Sequence, residues 1–322
     1  MHINRRFLGW GVFLMLVGGI PLAVRAGWID ASRLEGWWNL WPLIVIGIGA
    51  GILLHRSRFE LLGSLLIAAT FGSMLGSAFA SGGVPGIACG TDRGTAALDE
   101  RSGTFSGAAT IDVEVACGGF SLRGREGEAW AFSGTGDAGR QPSINDDGDS
   151  LRIRSSTDTT WIPFVSKRED WQLDVPTGTP LGLRVQVNAG DATIEPGSAA
   201  LEDVDVEVNL GSVVMDLTSA ETIENLRVQT NLGSIAVALP DASFSGRLQV
   251  NLGSIELCAP PGAALRIRAQ TSLGSTDFGN EGLVQNGSTW ETPGYDTAEV
   301  RIDLSTETNL GSLSLNPEDG CS

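Results

Sequence analysis

The chain has 322 residues, and its 21 basic side chains are outnumbered by 38 acidic ones, giving a formal net charge of −17. Such an acidic excess excludes a general nucleic-acid binder, which would need clustered Lys and Arg against phosphate. The only histidines are His2 and His55, so residues 81 onward hold no imidazole for base catalysis or metal binding.

Residues 1 to 80 carry six basic side chains (Arg5, Arg6, Arg25, Arg33, Arg56, Arg58) against three acidic ones (Asp30, Glu35, Glu60). That leaves 15 basic and 35 acidic side chains, a charge of −20, for residues 81 to 322. Three apolar stretches, Phe7 to Val24, Trp41 to Leu54 (extended upstream by Trp37, Trp38 and Leu40) and Leu61 to Ala80, each approach the ~20 residues needed to cross a bilayer. They predict three transmembrane helices, with the lipid bilayer as a partner. The two later stretches, and the lack of a small-residue cleavage site after Val24, argue against a cleaved signal peptide. Arg5 and Arg6 before the first stretch, and His55, Arg56 and Arg58 between the second and third, put the N-terminus in the cytoplasm. The expected localisation is a multi-pass cell-membrane protein with its later residues extracytoplasmic. Gly47 with Gly51 and Gly72 with Gly76 would let helices pack closely, within the module or against a partner.

Residues 81 to 108, rich in Gly, Ser, Thr and Ala, read as a flexible linker. Alternation then begins: Thr110 to Val115, Phe120 to Arg123, Trp130 to Phe132 and Leu151 to Arg154 predict half-buried strands, with a turn at Asp146 to Asp149. Residues 109 to 177 form an N-terminal β region on this reading.

From residue 178 to 318 the chain repeats. Asn188-Ala-Gly190-Asp, Asn209-Leu-Gly211-Ser, Asn231-Leu-Gly233-Ser, Asn251-Leu-Gly253-Ser, Ser272-Leu-Gly274-Ser and Asn309-Leu-Gly311-Ser are versions of one corner, separated by 21, 22, 20, 21 and 37 residues. This period predicts a β-solenoid with coils of about 21 residues, each too small to bury its own apolar face. Gly at the third corner position supplies positive φ, while Asn tolerates the turn and can bond to its counterpart in the next coil. The longest interval holds an insertion at residues 279 to 300, read as a projecting loop or hairpin, or else as a cap on the last coil.

Chemistry-bearing patterns are scarce. No P-loop or dinucleotide fingerprint occurs, and the carboxylates alternate with apolar residues as solvated strand positions do. The expectation is a non-enzymatic protein with no catalytic residue, metal or cofactor. Cys89, Cys117, Cys258 and Cys321 all follow the apolar region, as disulfides in an oxidising compartment would. Three pairings are possible, and chain order makes Cys89 with Cys117 and Cys258 with Cys321 the simplest.

Two sets of residues carry a family resemblance. The Arg-Arg start, the Gly-rich first stretch, Trp37-Trp38 with Trp41-Pro42 and the short basic loop resemble the LiaI/LiaF-like transmembrane region of bacterial envelope proteins. Ala116-Cys-Gly-Gly-Phe120, Trp171-Gln-Leu-Asp-Val-Pro176 and the Asn-x-Gly corners resemble LiaF-like toast-rack and adhesin-type β-repeat domains, so the resemblance covers most of the chain. The resemblance implies a membrane regulator of envelope stress that restrains a sensor histidine kinase. The alternative is a structural or adhesive surface protein with a membrane-anchored β-solenoid.

Overall fold

The computed structural model describes residues 11, 12, 14, 15 and 19, then 95–156, 168–278, 282–317 and 321. The chain divides into two units, Met1–Ala88 and Cys89–Ser322, and every described strand belongs to the second.

The expected fold of three transmembrane helices ahead of a β domain is corrected to an all-β architecture, and the multi-pass membrane localisation falls with it. Among the described residues no helix is long and apolar enough to cross a membrane. From Thr95 onward the described apolar residues recur at every second position, which builds half-buried strands rather than an apolar cylinder. Apart from residues 11, 12, 14, 15 and 19, the three apolar stretches lie outside the described residues, as do most of the positions that carry the LiaI/LiaF-like transmembrane resemblance.

Each coil has a first arm, a corner and a second arm. Among the described residues eight coils stack in parallel. Taken along the stack, they are β7 (Ser150–Arg154) with β8 (Asp170–Pro176), β3 (Ala109–Val115) with β4 (Phe120–Arg125), β9 (Leu181–Ala189) with β10 (Ala192–Glu195), and β11 (Ala200–Leu210) with β12 (Val213–Asp216). In the other four, both arms belong to one bent strand: β13 (Thr222–Ala238), β14 (Phe244–Cys258), β18 (Arg301–Leu315) and β15 (Ala264–Asp277).

Spatial order departs from chain order at both ends. The β3–β4 coil lies between β7–β8 and β9–β10, although β7 and β8 come after it in the chain. At the other end β18, the last coil in sequence, is inserted between β14 and β15. Residues 109–177 and 178–318 share one stack, since β3 pairs β9 and β4 pairs β10.

Antiparallel strands cover the terminal coils, which would otherwise present open edges. β5 (Ala129–Asp137) pairs with β8, and β6 (Ser143–Asp146) with β7. β1 (Thr95–Ala97) and β2 (Arg101–Thr104) add to β5, so the expected linker of residues 81–108 is strand-forming from Thr95. These strands are short, largely exposed and lacking in alternation, so composition alone reads them as a tether. At the far end β17 (Thr289–Glu291) pairs with Arg266 to Arg268 of β15, and β16 (Val284–Asn286) with β17. The described part of the insertion is thus a cap on the outermost coil. Arg266 fastens it: Nε donates to Glu291 at 2.6 Å, a second nitrogen to Asp296 at 2.8 Å, and the guanidinium lies 4.0 Å from the Tyr295 ring centroid. Those bonds, Glu291 first, push the Arg266 pKa further up.

The core consists of rows running coil to coil. Ile153, Val113, Val185, Val206, Val228 and Leu248 are register neighbours in one such row, each 0–1% exposed. At roughly 1.5–3 kcal/mol per fully buried aliphatic side chain, a single row is a large part of a domain's net stability.

Candidate functional site

The corner residues form three parallel columns. The first consists of Gly118, Gly190, Gly211, Gly233, Gly253, Gly311 and Gly274, with φ rising from +133° to +153°. A Cβ on each would lie 1.5–1.9 Å from a carbonyl oxygen of the coil before it. That oxygen belongs to Glu169 for Gly118 and to the neighbouring glycine for the rest. The chain can turn here with strands at bonding distance only if no side chain intervenes. Backbone bonds cross the column, such as Gly190 N to Leu210 O at 2.8 Å and Gly211 N to Leu232 O at 2.9 Å.

The second column is asparagine. Asn209 donates to Asn188 at 3.0 Å, Asn231 to Asn209 at 2.6 Å, Asn251 to Asn231 at 2.5 Å and Asn309 to Asn251 at 2.7 Å. Each amide offers a donor to one neighbour and an acceptor to the other, so the ladder can extend without an unmatched group inside it. It ends beyond Asn309, where the next coil has Ser272 in place of Asn.

The third column is leucine, a role that sequence reading missed. Leu210, Leu232, Leu252, Leu310 and Leu273 are successive register neighbours on the corner. Their side chains face solvent: Leu232 is 44% exposed, Leu252 47%, Leu310 49% and Leu273 67%. A solvated turn gains nothing from Leu, and its recurrence in five of the six corners was the available signal.

The outer face of the first arms carries a groove of about 820 Å³. Two glycines, Gly182 and Gly246, and a bulge between Leu201 and Val204 hollow its floor. A charged row crosses it in register: Arg152, Asp112, Arg184, Asp205, Arg227, Arg247, Ser305, Arg268. Arg152 bonds to Asp112 at 3.1 Å, Arg184 to Asp205 at 3.4 Å and Arg268 to Asp303 at 2.9 Å.

Cys258 and Cys321 form a disulfide. Cys117 is also disulfide-bonded, and Cys89 lies outside the described residues. The segment Trp171 to Pro176 is in β8, whose Asp174 is buried and paired with Arg125 at 2.7 Å. Beside the first glycine, Glu169 accepts a hydrogen bond from Ser155, whose Oγ in turn accepts from Ala116 N at 2.9 Å. Burial pushes the Glu169 carboxyl above its ordinary value of 4.5, outweighing the opposing bond from Ser155. Among the described residues no group of three or more His, Cys, Asp or Glu is placed to hold a metal ion.

Residues 106–238 match a protein family described as the N-terminal domain of toast_rack, DUF2154. The match reaches from β3 to the end of β13, the first five coils of the stack, and supports a β domain of toast-rack type. No curated protein matches the chain. Among solved structures, a candidate cell adhesion protein from Clostridium sporogenes is similar at 15% identity and TM-score 0.47, over 67% of this chain and 98% of its own. A candidate adhesin from Bacteroides fragilis is similar at 15% identity and TM-score 0.34, over 68% and 96%. A third, from Parabacteroides merdae, is similar at 8% identity and TM-score 0.24, over 68% and 95%.

Proposed function

We propose that this chain is a non-enzymatic surface protein whose stacked coils hold a partner along the corner edge, an adhesive scaffold. The leucine column carries the reading: identical apolar side chains, one strand spacing apart on coils held in register by backbone hydrogen bonds, form a linear contact surface in solvent. The four leucines most exposed are about half free, so covering them supplies roughly 1 kcal/mol each and about 4 kcal/mol together. A micromolar complex needs about 8 kcal/mol, so the column anchors a contact that polar neighbours must complete. The toast-rack match over residues 106–238 agrees with a scaffold role. The other reading, restraint of a sensor kinase, draws its support from the LiaF-like resemblance, of which only the toast-rack part has a match.

The test is retention of the purified full-length chain on intact bacterial cells and on their wall fragments. A Leu232→Ser/Leu252→Ser variant with unchanged circular dichroism should be retained at least tenfold less. Equal retention of variant and wild type would rule out the corner edge as the contact surface, and retention of neither would rule out adhesion.

A further inference from the structure

Across the charged row, one arginine lacks the partner that the others have. Arg152, Arg184, Arg227 and Arg268 each have a carboxylate within 4.0 Å, whereas Arg247 forms no ion pair among the described residues. Its register neighbours are Arg227 on one side and Ser305 on the other. Arg227 is itself weakly held, since its carboxylate, Asp205, stands 4.0 Å away and is shared with Arg184. Like charges directly opposite one another in a sheet are destabilising, and this pair is the only like-charged step in a row that otherwise alternates or passes through Ser305. Exposed guanidiniums tolerate the arrangement in water, but two side by side also form a ready fork for an oxyanion.

The surroundings narrow the ligand. The groove's charges balance, with five arginines against the carboxylates of Asp112, Glu202, Asp203, Asp205 and Asp303, inside a region that is strongly acidic overall. A densely charged polyanion would therefore be repelled away from the Arg227–Arg247 step. Between the charges stand Thr110, Ser150, Asn225, Ser245 and Ser305, whose hydroxyl and amide groups suit a partner rich in hydroxyls. We propose that Arg227 and Arg247, with Ser245 and Ser305 beside them, bind the carboxylate of an acidic polysaccharide laid across the strands in this groove. The site is separate from the leucine column and complements it with the polar contact that an adhesive scaffold needs.

The test uses the full-length chain at about 0.15 M salt, where a screening length of roughly 8 Å limits repulsion from the domain's distant acidic groups. Titration calorimetry compares hyaluronate, whose carboxylates alternate with neutral sugars, its methyl ester and inorganic phosphate alone. The charged polymer should bind, the neutral ester at least tenfold more weakly, and phosphate more weakly than the polymer. Arg247→Gln and Arg227→Gln should each lower affinity for the polymer at least tenfold, while Arg152→Gln, whose guanidinium is already paired, should not. Polymer binding that survives Arg247→Gln, equal binding of ester and acid, or phosphate binding as tight as the polymer's would each overturn the proposal. Leu232→Ser/Leu252→Ser should leave hyaluronate binding unchanged. Loss of cell retention in that variant alongside absent polymer binding would therefore refute this site and spare the adhesion reading.

Discussion

Replacing Gly233 by Ala isolates the role of the glycine column. The new Cβ would stand 1.7 Å from the Gly211 carbonyl oxygen and 2.6 Å from its carbon. A carbon and an oxygen approach comfortably only to about 3.3 Å, so the two coils must part by roughly 1.5 Å. That displacement breaks the Gly211 N to Leu232 O bond, now 2.9 Å, at a cost of about 1 kcal/mol. An Ala forced toward the φ of +143° held by Gly233 adds about 1–3 kcal/mol. A loss of about 3 kcal/mol or more is expected, which lowers the melting temperature by roughly 6–12 °C for a domain of this size. Gly262 provides the control, because its φ is +84° and a Cβ there meets nothing within 4 Å. Gly262→Ala should cost only about 1–2 kcal/mol, the strain of a left-handed residue. Urea denaturation of the full-length chain, monitored by far-ultraviolet circular dichroism, measures both. Equal destabilisation by the two substitutions would refute close approach as the reason for the column.

Three further expectations rest on single sites. Asn231→Asp replaces the donor that faces Asn209 with a second acceptor and should destabilise by about 1–3 kcal/mol at neutral pH. The deficit should shrink in acid, where the protonated carboxyl donates again, and grow as the carboxyl ionises; urea midpoints at several pH values measure this. Because burial raises the Glu169 pKa, its favourable contribution is complete below its unfolded pKa and is lost as pH rises through the folded one. Glu169→Gln should therefore flatten the stability profile over that interval, read from melting temperatures across pH. Cys258→Ser opens a bridge spanning a sequence separation of 63 and should lower stability by up to about 4 kcal/mol, measured by urea unfolding under oxidising conditions.

The corner motif was the most legible feature because each of its residues meets a local demand: Gly for close approach, Asn for a bond to the same residue one coil away. Stacking order was hidden for the same reason. Near-identical corners pair equally well with any neighbour, so nothing local tells β14 to pair with Leu310 rather than Leu273. The interval of 37 residues marked the place where order changes, but its excess is a cap and a return path, with the same appearance in sequence as a loop. At the other end Cys117-Gly118 lacks both Asn and Leu, so its corner escapes the repeat, although Gly118 joins the column. The arginine pair was invisible because Arg227 and Arg247 are 20 residues apart and become neighbours only through register.

An uninterrupted corner edge depends on β18 lying between β14 and β15, and engineered disulfides test that placement directly. Gln249 and Glu307 are register partners on adjacent strands, while Gln249 and Gln270 are separated by β18. Adjacent strands lie about 4.8 Å apart and alternate ones about 10 Å, and a disulfide closes only below about 7 Å between Cα atoms. Oxidised Gln249→Cys/Glu307→Cys should cross-link nearly completely and Gln249→Cys/Gln270→Cys should not, as read by peptide mass mapping. The reverse result would return the coils to chain order and contradict the architecture on which the contact surface is built.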